Sequence, residues 1–132
     1  MFMNFTVAKI RTSATLLLGA YWLALFVATH LPRVPIQFAS PSADKWEHLT
    51  AYGLLAILLA ARQSLWQPLN WKSLGRVAAI VALYGIFDEL TQIPVGRHAD
   101  VMDWFADITG CALGLAVFST ARSILMRRRR LT

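Results

Sequence analysis

From Ser13 to Leu31 the chain runs for about 19 residues without an aspartate, glutamate, lysine or arginine. A helix of ~20 apolar residues is what crosses the ~30 Å of hydrocarbon in a bilayer. The run therefore predicts a membrane span. Lys9 and Arg11 precede it, which also fits the charged start of a signal peptide, but the apolar part runs long and FVATHLP offers no small-x-small cleavage site. An uncleaved anchor is the expectation.

Three more apolar segments follow, from Asp44 to Ala61, Leu74 to Ile93 and Val101 to Leu125. The uninterrupted apolar stretch after His48 ends by Ala61, and the one before Asp88 begins near Val77. Each is well short of a full span, so these segments reach across only if their polar ends also lie at membrane depth. Composition points the same way: 57% hydrophobic against 15% charged residues leaves too little polar surface for a soluble core of this size. The expected fold is all-α, an integral membrane bundle of four transmembrane helices over residues 13–126, with an N-terminal segment 1–12 and a basic tail 127–132. Pro32, Pro35, Pro41, Pro68 and Pro94 fall in loops or at span ends. The single cysteine, Cys111, lies in an apolar run, excludes an intrachain disulfide and reads as a packing residue.

Charge orients the spans. Ten basic residues (Lys9, Arg11, Arg62, Lys72, Arg76, Arg122 and Arg127 to Arg130) fall on one side of a four-span hairpin pair, and Arg33, Lys45 and Arg97 on the other. Lysine and arginine favour the cytoplasmic side, so both termini are expected there. The C-terminal arginines then read as an anchor near anionic lipid, and no nucleic-acid partner is expected. All seven acids, Asp44, Glu47, Asp88, Glu89, Asp100, Asp103 and Asp107, fall at the external ends of helices two, three and four.

Three motifs carry this polar end. In DKWEHLTAY, Asp44, His48 and Tyr52 recur at four-residue steps with Lys45 beside them, sharing one broad helix side. In DELTQ, Asp88 and Glu89 share a face with Gln92. In RHADVMDWFADITG, Arg97 precedes a helix on which Asp103, Asp107, Gly110 and Gly114 form a stripe whose small residues admit a neighbouring helix. Plainer roles compete with functional ones: Asp100 suits a helix N-cap and Asp44 another. Arg97 suits a salt bridge to a nearby acid, His30 and Arg33 suit the interface, His98 suits solvent, and Trp46, Trp66, Trp71 and Trp104 suit an aromatic belt. Asp88, Glu89, Asp107 and His48 resist such readings. A carboxylate at membrane depth costs on the order of 2.5 to 3.5 kcal/mol even on a lenient scale, so these groups are expected to face a polar pocket.

At these residues the sequence resembles the VanZ-like family of small polytopic bacterial membrane proteins. The shared features are the Asp-Lys-x-x-His-x-x-x-Tyr start of one span (Asp44, Lys45, His48, Tyr52) and the Asp-Glu-x-x-Gln end of the next (Asp88, Glu89, Gln92). The third is an arginine followed by an Asp-x-x-x-Asp helix with glycines (Arg97, Asp103, Asp107, Gly110, Gly114), so the resemblance covers about Asp44 to Phe118. Family members often carry Asn where Asp107 stands. The resemblance implies a multi-pass protein of the bacterial inner membrane, and the founding member is linked to low-level resistance to the glycopeptide teicoplanin.

The leading functional expectation is a pocket that recognises an envelope lipid, a lipid-linked cell-wall precursor or a lipophilic glycopeptide. Lys45 and Arg97 would meet phosphate or carboxylate oxygens. His48, Asp88 and Glu89 would shape and titrate the site, and Gln92 and Tyr52 would add neutral hydrogen bonds. The excess of acids opposes an anionic head group unless a proton or a divalent cation neutralises it. That motivates a membrane-embedded hydrolase or transferase in which His48 beside Asp88 or Glu89 acts as general acid or base, with or without a metal. No cofactor is evident, and neither a nucleophile motif nor an H-E-x-x-H spacing is present. A proton- or cation-coupled carrier is the third reading, and four spans would then need to form a homo-oligomer.

Overall fold

The computed structural model describes residues 2–31 and 43–129, with side chains from Thr6 onward. Arg33, Pro32, Pro35 and Pro41 lie outside the described residues. The described residues are all-helical: α1 (Phe2–His30), α2 (Ala43–Ser64), α3 (Trp71–Gln92) and α4 (Val101–Arg128), with a short 3-10 turn at Ile93–Val95.

The helix limits follow local chemistry that apolar runs do not report. α1 starts well before Ser13, and Arg11 in its early turns is accommodated just past the end of α2: its Nε donates to the Leu65 carbonyl at 3.0 Å and its guanidinium lies 4.5 Å from the Trp66 ring centre. α3 starts at Trp71 because Asn70 caps it, its side chain accepting from the Ser73 amide while Ser73 returns a bond to the Asn70 backbone. α4 starts at Val101, as expected, because the Asp100 carboxylate accepts from the Met102 amide at 2.8 Å.

Among the described residues, three stretches are long and apolar enough to cross a membrane: Thr6–His30, Trp71–Val95 and Val101–Arg128. The segment expected as the second span forms α2 but is not among them. Asp44, Lys45, Glu47 and His48 occupy its first turns and Arg62 its last, which dilutes its hydropathy. Packing offsets this dilution. Tyr52, Leu55, Ala56 and Ala60 are wholly buried, so α2 is the inner helix and its neighbours carry most of the exposed leucine, isoleucine and valine surface.

Cross-helix contacts give the relative directions. Tyr21 bonds the Ala51 carbonyl and Arg62 bonds Thr15, so α1 and α2 are antiparallel. Lys45 meets Asp103 and His48 meets Asp107, so α2 and α4 are parallel. Their seam is backbone against backbone. A Cβ on Gly110 would collide with the Leu49 carbonyl, one on Gly114 with the Gly53 carbonyl, and one on Gly53 would lie 3.0 Å from the Gly110 oxygen. The small stripe expected on helix four is thus the surface that lets α2 approach. Near the polar end, Trp104, expected in the aromatic belt, instead donates from Nε1 to the Ala82 carbonyl at 3.0 Å and packs over Gly85, tying α4 to α3.

The seam makes a stability prediction. Gly110→Ala forces a methyl into backbone that cannot rotate away, and overpacking of this kind costs about 1 to 3 kcal/mol. Gly75→Ala, with open space around its Cβ position, is expected to be neutral or mildly stabilising. Thermal unfolding of both variants in detergent checks the contrast, and equal melting temperatures would contradict it.

Candidate functional site

Helix direction brings four chain segments to one end of the bundle: the last turn of α1, the first turns of α2, the last turns of α3 and the first turns of α4. The expected site residues of α2, α3 and α4 lie at this end, and Arg97 lies in the loop between α3 and α4. The outer layer is built on Lys45, whose Nζ reaches Asp103 Oδ1 at 2.6 Å and Asp100 Oδ2 at 2.8 Å. One turn deeper, His48 Nδ1 lies 2.9 Å from Asp107 Oδ1, and His48 Nε2 lies 3.9 Å from Asp103 Oδ2. His48 and Asp103 are buried and Asp107 is fully so.

The pairings differ from those expected. The carboxylate against His48 is Asp107, because the α2–α4 seam sets those two residues at the same level. Asp88 instead accepts from Thr29 Oγ1 at 2.8 Å and from Gln92 Nε2 at 3.1 Å, with His30 Nδ1 at 3.8 Å. Glu89 turns toward the loop, where its Oε2 accepts the Asp100 amide at 2.7 Å. Lys45, expected to meet a ligand anion, is held by two carboxylates.

Two residues missed by the sequence reading join the network from α1. Thr29 supports Asp88, and His30, expected at the interface, puts its Nε2 3.0 Å from Thr91 Oγ1 and stacks on Phe26. The available signal was a Thr-His pair ending the first apolar run on the same side as the acids. Asp100 fulfils its capping role, Asp44 lies within the first turn of α2, and His98 is exposed.

Four buried polar atoms in this region have no hydrogen-bond partner: the Tyr52 and Tyr84 hydroxyls, Glu89 Oε1 and Asp107 Oδ2. Buried polar atoms are normally paired with protein or ordered water, so these oxygens are the positions at this end that a water, an ion or a ligand atom would complete. Two cavities open into it. One of about 370 Å³ is lined by Asp44, Gly96, Arg97, His98, Asp100 and Asp103, and one of about 110 Å³ by Thr29, Asp44, Glu47, His48, Tyr52 and Arg97. Arg97 is aimed here by Gly96, whose positive φ of 80° ends the 3-10 turn and folds the chain back so that the Arg97 amide reaches the Gln92 carbonyl.

A family model described as VanZ/LLP1 matches residues 3–125. The chain belongs to the VanZ/LLP1 family. The match runs from α1 through most of α4, so it takes in Thr29 and His30 as well as the motifs that begin at Asp44. No curated protein and no solved structure matches the chain.

The loop that roofs the VanZ/LLP1 site has a pH signature. The Lys45 hydrogen bond, and then the Met102 amide, hold the Asp100 carboxyl below the usual carboxylate range. A depressed folded-state pKa contributes stability above the unfolded value, and the contribution fades as pH falls through the folded value. Protection of the Met102 amide, corrected for intrinsic exchange, is therefore expected to stay flat from neutral pH through the ordinary carboxylate range and to drop only below it. In Asp100→Ala it should be low throughout, and a drop in the wild type near neutrality would contradict the assignment.

Proposed function

We propose that this VanZ/LLP1 protein crosses the inner membrane four times with both termini cytoplasmic, and that its outward polar end recognises an amphiphile of the envelope. The ligand class is an envelope lipid, a lipid-linked cell-wall precursor or a lipophilic glycopeptide. One observation carries the reading. The 370 Å³ cleft shares Asp100 with a mainly apolar groove of about 260 Å³ lined by Ile86, Leu90, Val101 and Trp104 together with Glu89. A polar cleft beside an apolar groove, with one residue lining both, suits a molecule with a head group and a tail. Arg97 lines the cleft, and its planar guanidinium suits bidentate contact with phosphate or carboxylate. The teicoplanin link of the founding VanZ member extends to this chain only through such a site.

The membrane arrangement is tested by fusions. A C-terminal alkaline phosphatase fusion should be inactive and one inserted at residues 97–99 active, and the reverse pattern would overturn the topology. Recognition is tested by native mass spectrometry of the detergent-purified protein with lipid-linked precursors and with teicoplanin. An adduct weakened at least tenfold in Arg97→Gln but not in Gly75→Ala is expected. No adduct on the folded wild type would overturn the reading.

A hydrolase or transferase is the second reading, favoured by the buried His48–Asp107 pair, which orients an imidazole as general acid–base catalysis requires. Substrate turnover lost in Glu89→Gln with the adduct retained would select it over simple recognition.

A further inference from the structure

His48 is held in the way a metal ligand is held. In the neutral tautomer that donates from Nδ1 to Asp107, Nε2 is the acceptor nitrogen, and it lies 3.9 Å from Asp103 Oδ2. That gap is too long for a hydrogen bond. It is one that a single cation bonded to each atom at ~2.0–2.5 Å would bridge. Asp44, one turn earlier on α2, brings a third donor, and one ligand atom from each of Asp44, His48 and Asp103 lies within 4.8 Å of the others. Asp103 can serve both neighbours because Lys45 engages Oδ1 and leaves Oδ2. A carboxylate on the far nitrogen of the imidazole is the usual arrangement behind a metal-bound histidine, fixing its tautomer and direction.

A second observation comes from α3. Glu89 is 6% exposed and feels the charges of His48 and Asp103, yet its Oε1 is buried without any hydrogen-bond partner. A carboxylate oxygen left bare in a buried site is costly. A cation held by His48 and Asp103, or water bound to it, would offer that oxygen a partner.

We propose that Asp44, His48 and Asp103 form a divalent-cation site in the floor of the outward cleft, oriented by Asp107 and flanked by Glu89. One imidazole nitrogen with two carboxylate oxygens suits a borderline to hard ion such as Zn²⁺ or Mn²⁺. The cation also resolves a charge conflict, because it offers two positive charges to anionic oxygens at a cleft where Lys45 is occupied. The site stands on this geometry. Its role toward a phosphate-bearing head group rests on the recognition function proposed above.

The test is ion binding by metal-stripped full-length protein in detergent without lipid, using Zn²⁺ and Mn²⁺ in turn. One ion per chain is expected, with affinity at least tenfold weaker in Asp44→Asn and in His48→Gln. Asp107→Asn keeps all three donors and is expected to lose about 10- to 100-fold through the ring it no longer fixes. With Mn²⁺, pulsed electron paramagnetic resonance should show coupling to one imidazole nitrogen that disappears in His48→Gln. Asp44 is at the half-buried helix end, so Asp44→Asn decides the matter if His48→Gln does not fold. No ion on the folded wild type, or unchanged affinity in Asp44→Asn, would overturn the site. Head-group adducts are then compared with and without the ion. Adducts equally strong without it would remove its role and leave recognition standing, whereas an ion bound with no adduct would sustain the site and sink recognition.

Discussion

The backbone of α4 lies directly against the backbone of α2 along Gly53, Gly110 and Gly114, and the polar end depends on that approach. The two helices run in parallel, so each turn of one meets the corresponding turn of the other. Gly114 meets Gly53, Gly110 meets Leu49, Asp107 meets His48 and Asp103 meets Lys45. Side chains at the first two levels would push the helices apart. The same displacement at the last two would break the buried histidine–carboxylate contact and the lysine bridge.

Lipid contributes no hydrophobic drive for helix association, so close packing and interhelical hydrogen bonds must supply it. Here the two are separated along the bundle axis. Small residues and carbonyl contacts hold the middle, while Thr29, Gln92, His30 and His48 share the buried Asp88 and Asp107 at the polar end. The basic end is held by other means, with Arg11 and Arg62 around Trp66. Among the described residues, the polar end combines buried acids, open cavities and unpartnered polar atoms.

Much of this was legible in the primary structure because helix periodicity is local. Steps of three and four residues put Asp44, His48 and Tyr52 on one side, and Asp103, Asp107 and the glycines on another, whatever the rest of the chain does. Asp100 as a cap was legible for the same reason. Trp104 was not: a tryptophan near a span end reads as a belt residue until Gly85 opposite it is known to leave room for the ring. Thr29 and His30 were not legible as site residues either, since nothing in α1 reveals that its end stands beside the end of α3.

By itself, then, the sequence determined the helices, their membrane character and the gathering of all seven acids toward one end, because apolar run length, caps and charge asymmetry act within a segment. Only the tertiary structure decided which acid faces which base. It gave Asp107 to His48, Asp103 and Asp100 to Lys45, and Asp88 to Thr29 and Gln92. It also made α2, the least apolar of the long helices, the buried one. Those outcomes depend on the crossing and register of helices far apart in the chain, which are set where backbones touch.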